Sequence, residues 1–133
     1  MPARAPVLPG RCSVAADQDP GREHRVAADL ARIAGDPEVV RSGAGAAADA
    51  GLPLIAPEAP LELYVDAAAA ERLIDRYRLA PSQSGNVTLR VVPDEVRAWL
   101  TSPVAPWPAV ALDLAEDGDP RSRDVARAAL TQA

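Results

Sequence analysis

The sequence has no lysine and no phenylalanine, and it holds one cysteine, one histidine and one methionine. A lone Cys12 excludes a disulfide or a thiolate metal cluster within the chain. It lies in an opening rich in Pro, Gly and Arg and reads as an incidental thiol. A lone His24 leaves no His/Cys metal set, and no Ser-His-Asp or Cys-His arrangement can be assembled. His24 sits off or at the edge of the apolar stripe of its helix and reads as solvent-exposed. No apolar run approaches the roughly 20 residues that span a bilayer. The start, "MPARAPVLPGRC", carries arginines but no apolar core of a secretory signal. The cytoplasm is therefore the expected location.

What is present is alanine, proline and arginine. The 133 residues suit one compact domain. Hydrophobic residues make up 48%, but with two Trp and two Tyr the core must consist of small aliphatics. All the cations are arginine, 14 against 19 acids, for a net charge of −5. Bulk electrostatics thus disfavour a polyanion such as DNA. A local basic face remains at Arg72, Arg76 and Arg78. The arginines of the opening, Arg4, Arg11, Arg22 and Arg25, are sparse and offset by Asp17, Asp19 and Glu23.

The breakers Pro2, Pro6, Pro9, Gly10, Pro20 and Gly21 predict a flexible tail over 1–22, followed by one α/β domain over 23–133. Val26, Leu30 and Ile33 recur at helical spacing from Glu23 to Ala34, and Gly35 ends that helix. Glu38–Arg41 suits a short strand, and Gly43–Ala50 a small-residue helix stopped at Gly51. Leu61, Leu63 and Val65 alternate with Glu62 and Tyr64 as in a half-buried strand. Asp66 caps a helix running to about Leu79, whose inner face is Ala70, Leu73, Ile74 and Tyr77. "NVTLRVV" is the clearest strand. Asp94–Leu100 suits one or two helical turns, and "TSPVAPWPAV" a proline-rich crossing before a helix from Val110. Asp119 followed by Pro120 marks the start of the last helix. The expected fold is α+β, a mixed sheet of about 3–4 strands with about 4–5 helices.

Three constellations invite functional readings. Gly43-x-Gly45-x-x-Ala48 is close to a dinucleotide-binding turn, with Glu62 and Asp66 near the spacing of a ribose-binding acid. The strand before it is short and carries Glu38 and Arg41, whereas a buried parallel strand should be apolar. Close packing of small residues on a sheet is the better explanation, and a nucleotide site using Gly43 and Gly45 is the alternative. Glu116, Asp117 and Asp119 around Gly118 lack the alternating ligands and final glutamate of a calcium loop, and read as a solvated turn with a helix cap. Asp113 stands on an otherwise apolar helix and needs a partner, for which Arg90 or Arg121 are candidates. No cofactor or metal is expected.

The stretches "RSGAGAAADAG", "LELYVDAAAAERLIDRYRL", "SGNVTLRVV" and "VALDLAEDGDPRSRDVARAAL", in this order, carry a resemblance. The chain resembles the C-terminal region of actinobacterial AbiEi-type antitoxins of type IV toxin–antitoxin systems, a group of winged-helix transcriptional regulators. The likeness covers roughly Glu23 to Leu130. Matching positions are Ser42, Gly43, Ala46 and Ala47, then Tyr64 and Val65, then Gly85 to Val87 with Leu89 and Arg90. Leu112, Asp113, Leu114, Asp119, Arg121 and Ala126 complete them. Among these, Ser42, Gly43, Tyr64, Asn86, Asp113 and Asp119 are expected to be structural.

The resemblance implies an N-terminal winged helix that binds DNA and a C-terminal region that is the antitoxin or regulatory part. Only 22 residues precede Glu23, so the expectation is a chain without its DNA-reading module. The function expected is non-enzymatic regulation through a protein partner, with a nucleotidyltransferase-like toxin as the candidate. Arg72, Arg76, Arg90 and Arg121 are the candidate contacts, because arginine is favoured at interfaces. Trp99 and Trp107 are the residues expected to line an apolar patch.

Overall fold

A computed structural model describes residues 10–15, 23–83 and 85–132 of the chain, without the side chains of 23–25. Strands β1 (Gly10–Ala15), β2 (Val40–Ser42), β3 (Leu61–Val65), β4 (Ala80–Pro81) and β5 (Val87–Val91) form one mixed sheet in the order β2-β3-β5-β1-β4. Helices α1 (Glu23–Ala34) and α2 (Ala67–Tyr77) share a core with one face of it. Helices α4 (Trp107–Ala115) and α5 (Pro120–Thr131) cover the other face, and α3 (Asp94–Trp99) lies between the two layers in sequence. The architecture is α+β.

The layering follows from the strand period of two. Leu63 and Val65 on β3, and Val87, Leu89 and Val91 on β5, point to one side, where they meet Ile33, Ala70, Leu73 and Tyr77. Val40 and Tyr64 point the other way and meet Ala44, Ala47, Val110, Ala111, Leu114 and Ala126. β3 and β5 are parallel, and α2 supplies the crossover that such a pair requires. The outer edge of β2 is closed by an irregular segment. The Arg41 N–H donates to the Pro103 carbonyl at 2.8 Å, and the Ala105 N–H to the Arg41 carbonyl at 2.8 Å.

Several local expectations match. α1 has the bounds read from its periodicity, and Asp66 caps α2 by accepting the Ala69 N–H at 2.7 Å. Asp119 caps α5 through the Arg121 N–H at 3.0 Å, with Pro120 in the first turn.

Others differ for identifiable reasons. Gly10–Ala15, inside the stretch read as a tail, pairs with β5 as a strand. Pro9 and Pro20 flank this run without interrupting it, and 1–9 and 16–22 lie outside the described residues. Gly43–Ala50 makes a 3₁₀ turn at Ala44–Ala46 and further turns, since Gly43 takes φ 73 and ψ −166. α2 ends at Tyr77 because Arg78 turns left-handed. α4 starts three residues before Val110: Pro108 falls in the first turn, where its missing N–H costs nothing.

Candidate functional site

The strand registers place two rows of side chains under α4. One row runs Arg11, Arg90, Tyr64, Val40, and the next Ser13, Thr88, Glu62, Ser42. Arg11 stands directly opposite Arg90, a like-charge cross-strand pair that is unfavourable by itself. Glu62 neutralises both, 3.3 Å from the Arg90 guanidinium and 3.8 Å from that of Arg11.

Asp113 descends from α4 onto this face. It is 5% exposed and accepts the Ser42 hydroxyl. It also accepts the Tyr64 hydroxyl at 2.8 Å and faces the Arg90 guanidinium at 3.4 Å. Arg90 further reaches Glu116, at 3.5 Å, just past the end of α4. One arginine therefore ties three carboxylates from β3, α4 and the α4–α5 turn. Its buried Nε takes no hydrogen-bond partner among the described residues.

Burial and charge tune the group. Burial, reinforced by the Asp113 carboxylate, pushes the Tyr64 hydroxyl well above the usual tyrosine range, so it remains a donor. Burial works to lower Arg90, but the carboxylates of Asp113 and Glu62 outweigh it and hold the guanidinium charged. Burial pushes Glu62 above its ordinary value of 4.5, although Arg90 pulls the other way.

A pH experiment checks this. An acid whose folded pKa is raised binds its proton more tightly folded than unfolded, so it adds stability at low pH. That contribution is lost as pH rises through the folded value. The melting temperature of the wild type minus that of Glu62→Gln is expected to rise as pH falls from 7 towards 4.5, then to level off. A difference that falls over the same range would refute the burial argument.

Gly43 is part of the same assembly. A Cβ there would collide with the Glu62 carboxylate, and φ 73 belongs to glycine in any case. The glycine thus makes room for a carboxylate, in the place that a phosphate would have to approach in a dinucleotide turn. β2 and β3 are antiparallel, unlike the parallel strands of a dinucleotide-binding unit. Gly45 is exposed, with open space around it. The cluster opens onto a cleft of about 100 Å³ between Arg11, Glu62, Thr88 and Glu116. That is room for a few waters, below the roughly 300 Å³ at which small-molecule pockets begin. No group of three or more His, Cys, Asp or Glu among the described residues is placed to hold a metal.

The family model described as "Transcriptional regulator, AbiEi antitoxin, Type IV TA system" matches residues 18–133. The chain belongs to that family. No curated protein and no solved structure matches it. The match spans every member of the cluster except Arg11, and β1 lies before it. No helix among the described residues of this AbiEi-family chain is long and apolar enough to cross a membrane.

The structure brings together Ser42, Gly43, Tyr64, Arg90 and Asp113 of the residues singled out in the sequence. Of the two arginines considered for Asp113, Arg90 is the partner. Asn86 precedes β5, its carbonyl accepting the Leu61 N–H at 3.0 Å, and Asp119 caps α5. Arg72 lies on the opposite layer, bonded to Glu38 and 3.4 Å from Asp36. Arg76 is exposed, its guanidinium 5.5 Å from the centre of the Tyr77 ring. Arg121 is exposed at the start of α5. Trp99 is 83% exposed and Trp107 38%. The His24 side chain lies outside the described residues.

Glu62, Arg11 and Glu116 were not assigned to the cluster from the sequence. The available signal was Glu62 and Tyr64 alternating with Leu63 and Val65. It becomes informative only once β3 and β5 are known to be neighbours.

Proposed function

We propose that this AbiEi-family chain is the regulatory, antitoxin-like part of a transcriptional regulator and that it works by binding a protein partner, with no chemistry of its own. The observation that carries this reading is the family match across 18–133, because its description joins regulator and antitoxin in one protein. The toxin of such a system, nucleotidyltransferase-like, is the first candidate partner, and the cytoplasm the place of action. The geometry supports the reading. The polar groups under α4 are turned onto one another, which suits a rigid scaffold that presents its outer surface.

In this proposal Arg90 is an internal strut, while Arg76 and Arg121 offer charge to a partner. Arg72 is already shared between Glu38 and Asp36. The test is co-expression of the tagged chain with the product of the neighbouring open reading frame. Co-purification in a fixed ratio is the expected result, and recovery of the chain alone would count against the proposal. Unchanged binding after Arg72→Glu with Arg76→Glu would remove the α2 face from the contact surface.

A further inference from the structure

The segment from Leu52 to Ile55 has no regular secondary structure, and its side chains alternate. Leu52 and Leu54 are buried in the core beneath α4 and α5. Pro53 and Ile55 face outward, and Ile55 is 75% exposed. Scattered apolar side chains on a surface need no explanation. Here, however, Ile55 borders an open groove of about 490 Å³ walled by Ala48, Leu52, Pro53, Leu54 and Arg121.

Among the described residues Arg121 is the one charged side chain along that groove. Its guanidinium makes no ion pair among the described residues. It stands in the first turn of α5, which holds no acidic residue. A cation there opposes the helix dipole, so the position does not favour the helix. Asp49, which follows Ala48 of the wall in sequence, is held by Arg41 at 2.9 Å. The groove thus combines an apolar wall with one uncommitted cation.

We infer that this groove binds an extended, acidic–apolar segment of a partner protein, with an apolar side chain against Ile55 and Pro53 and a carboxylate on Arg121. The inference rests on the partner-binding reading above and gives that reading a surface. Charge complementarity sets the chemistry of the occupant, a carboxylate opposite Arg121 beside an apolar side chain on Ile55 and Pro53. Both Ile55 and Arg121 are exposed, so substitutions there leave the fold intact.

The test uses the full-length, ¹⁵N-labelled chain and two synthetic peptides, acetyl-Leu-Glu-Leu-Glu-amide and acetyl-Leu-Lys-Leu-Lys-amide. The acidic peptide is expected to shift the amides of Leu52 to Ile55 and of Arg121 in a saturable way. The basic peptide is expected to leave them in place, and Arg121→Glu to weaken the acidic peptide by roughly tenfold or more. Absence of shifts, or equal shifts with both peptides, overturns the groove. Concentration-dependent shifts of the same amides without peptide would overturn it in favour of a second copy. These outcomes are independent of co-purification. A partner that binds wild type, Ile55→Asp and Arg121→Glu equally would sink the groove and leave the partner reading standing. A groove that takes the acidic peptide, in a chain that captures no partner, would do the reverse.

Discussion

Asp113→Ala is expected to lower the stability of the protein by about 3–5 kcal/mol, the range seen when one partner of a buried ion pair is removed. The carboxylate is 5% exposed and takes hydrogen bonds from Ser42 and Tyr64 while facing Arg90. Alanine leaves those donors without an acceptor and α4 without its polar anchor on the sheet. The remaining carboxylates near Arg90 do not substitute, because Glu62 already serves Arg11 and Glu116 is 64% exposed. Urea unfolding at neutral pH is the measurement. Arg90→Ala in the same background should add less than its effect alone, since the two residues share one network. A loss below about 1 kcal/mol, the typical value for an exposed pair, would mean that apolar contacts alone hold α4.

The second large effect is expected at Gly43. Alanine must adopt φ 73 and ψ −166, a region essentially reserved for glycine, at about 1–3 kcal/mol. Its Cβ must also displace the Glu62 carboxylate, which separates Glu62 from Arg90 and Arg11 and leaves their like charges facing each other. Together these should bring the loss for Gly43→Ala to the upper end of that range or beyond. Thermal unfolding of Gly43→Ala and of Gly43→Ala with Glu62→Ala separates the two causes. The double variant should cost less than the two single changes added together, because the collision is gone. Strict additivity would show that only the backbone matters.

The two experiments address the same point: the "SG" at the end of β2 and just beyond it, the "LY" of β3, the "LR" of β5 and the "LDL" of α4 form one structural unit. Ser42, Tyr64, Arg90 and Asp113 meet there although the chain separates them widely. In this AbiEi-family chain these residues lie at the boundary between the sheet and α4. They bind each other and fix the helical layer whose outer surface includes Arg121.

Much of this protein was determined by the sequence alone. The period of apolar residues set α1 and α2, because a helix must bury one stripe and no other spacing of Val26, Leu30 and Ile33 does so. Alternation set β3 and β5, and side-chain chemistry next to the main chain placed the caps at Asp66 and Asp119. The need of Asp113 for a cationic partner was also legible, since a carboxylate on an apolar helix cannot be buried alone. The tertiary structure alone decided which arginine met it, and that Glu62 joined them. Both depend on β3 lying parallel to β5 with Tyr64 opposite Arg90, a long-range register that no local spacing encodes. The same holds for Gly43. In the sequence it is one glycine among small residues, and only the arrival of a carboxylate from the neighbouring strand makes it necessary. Likewise β1 is a strand because the edge of β5 supplies hydrogen bonds to a run whose own propensity is weak.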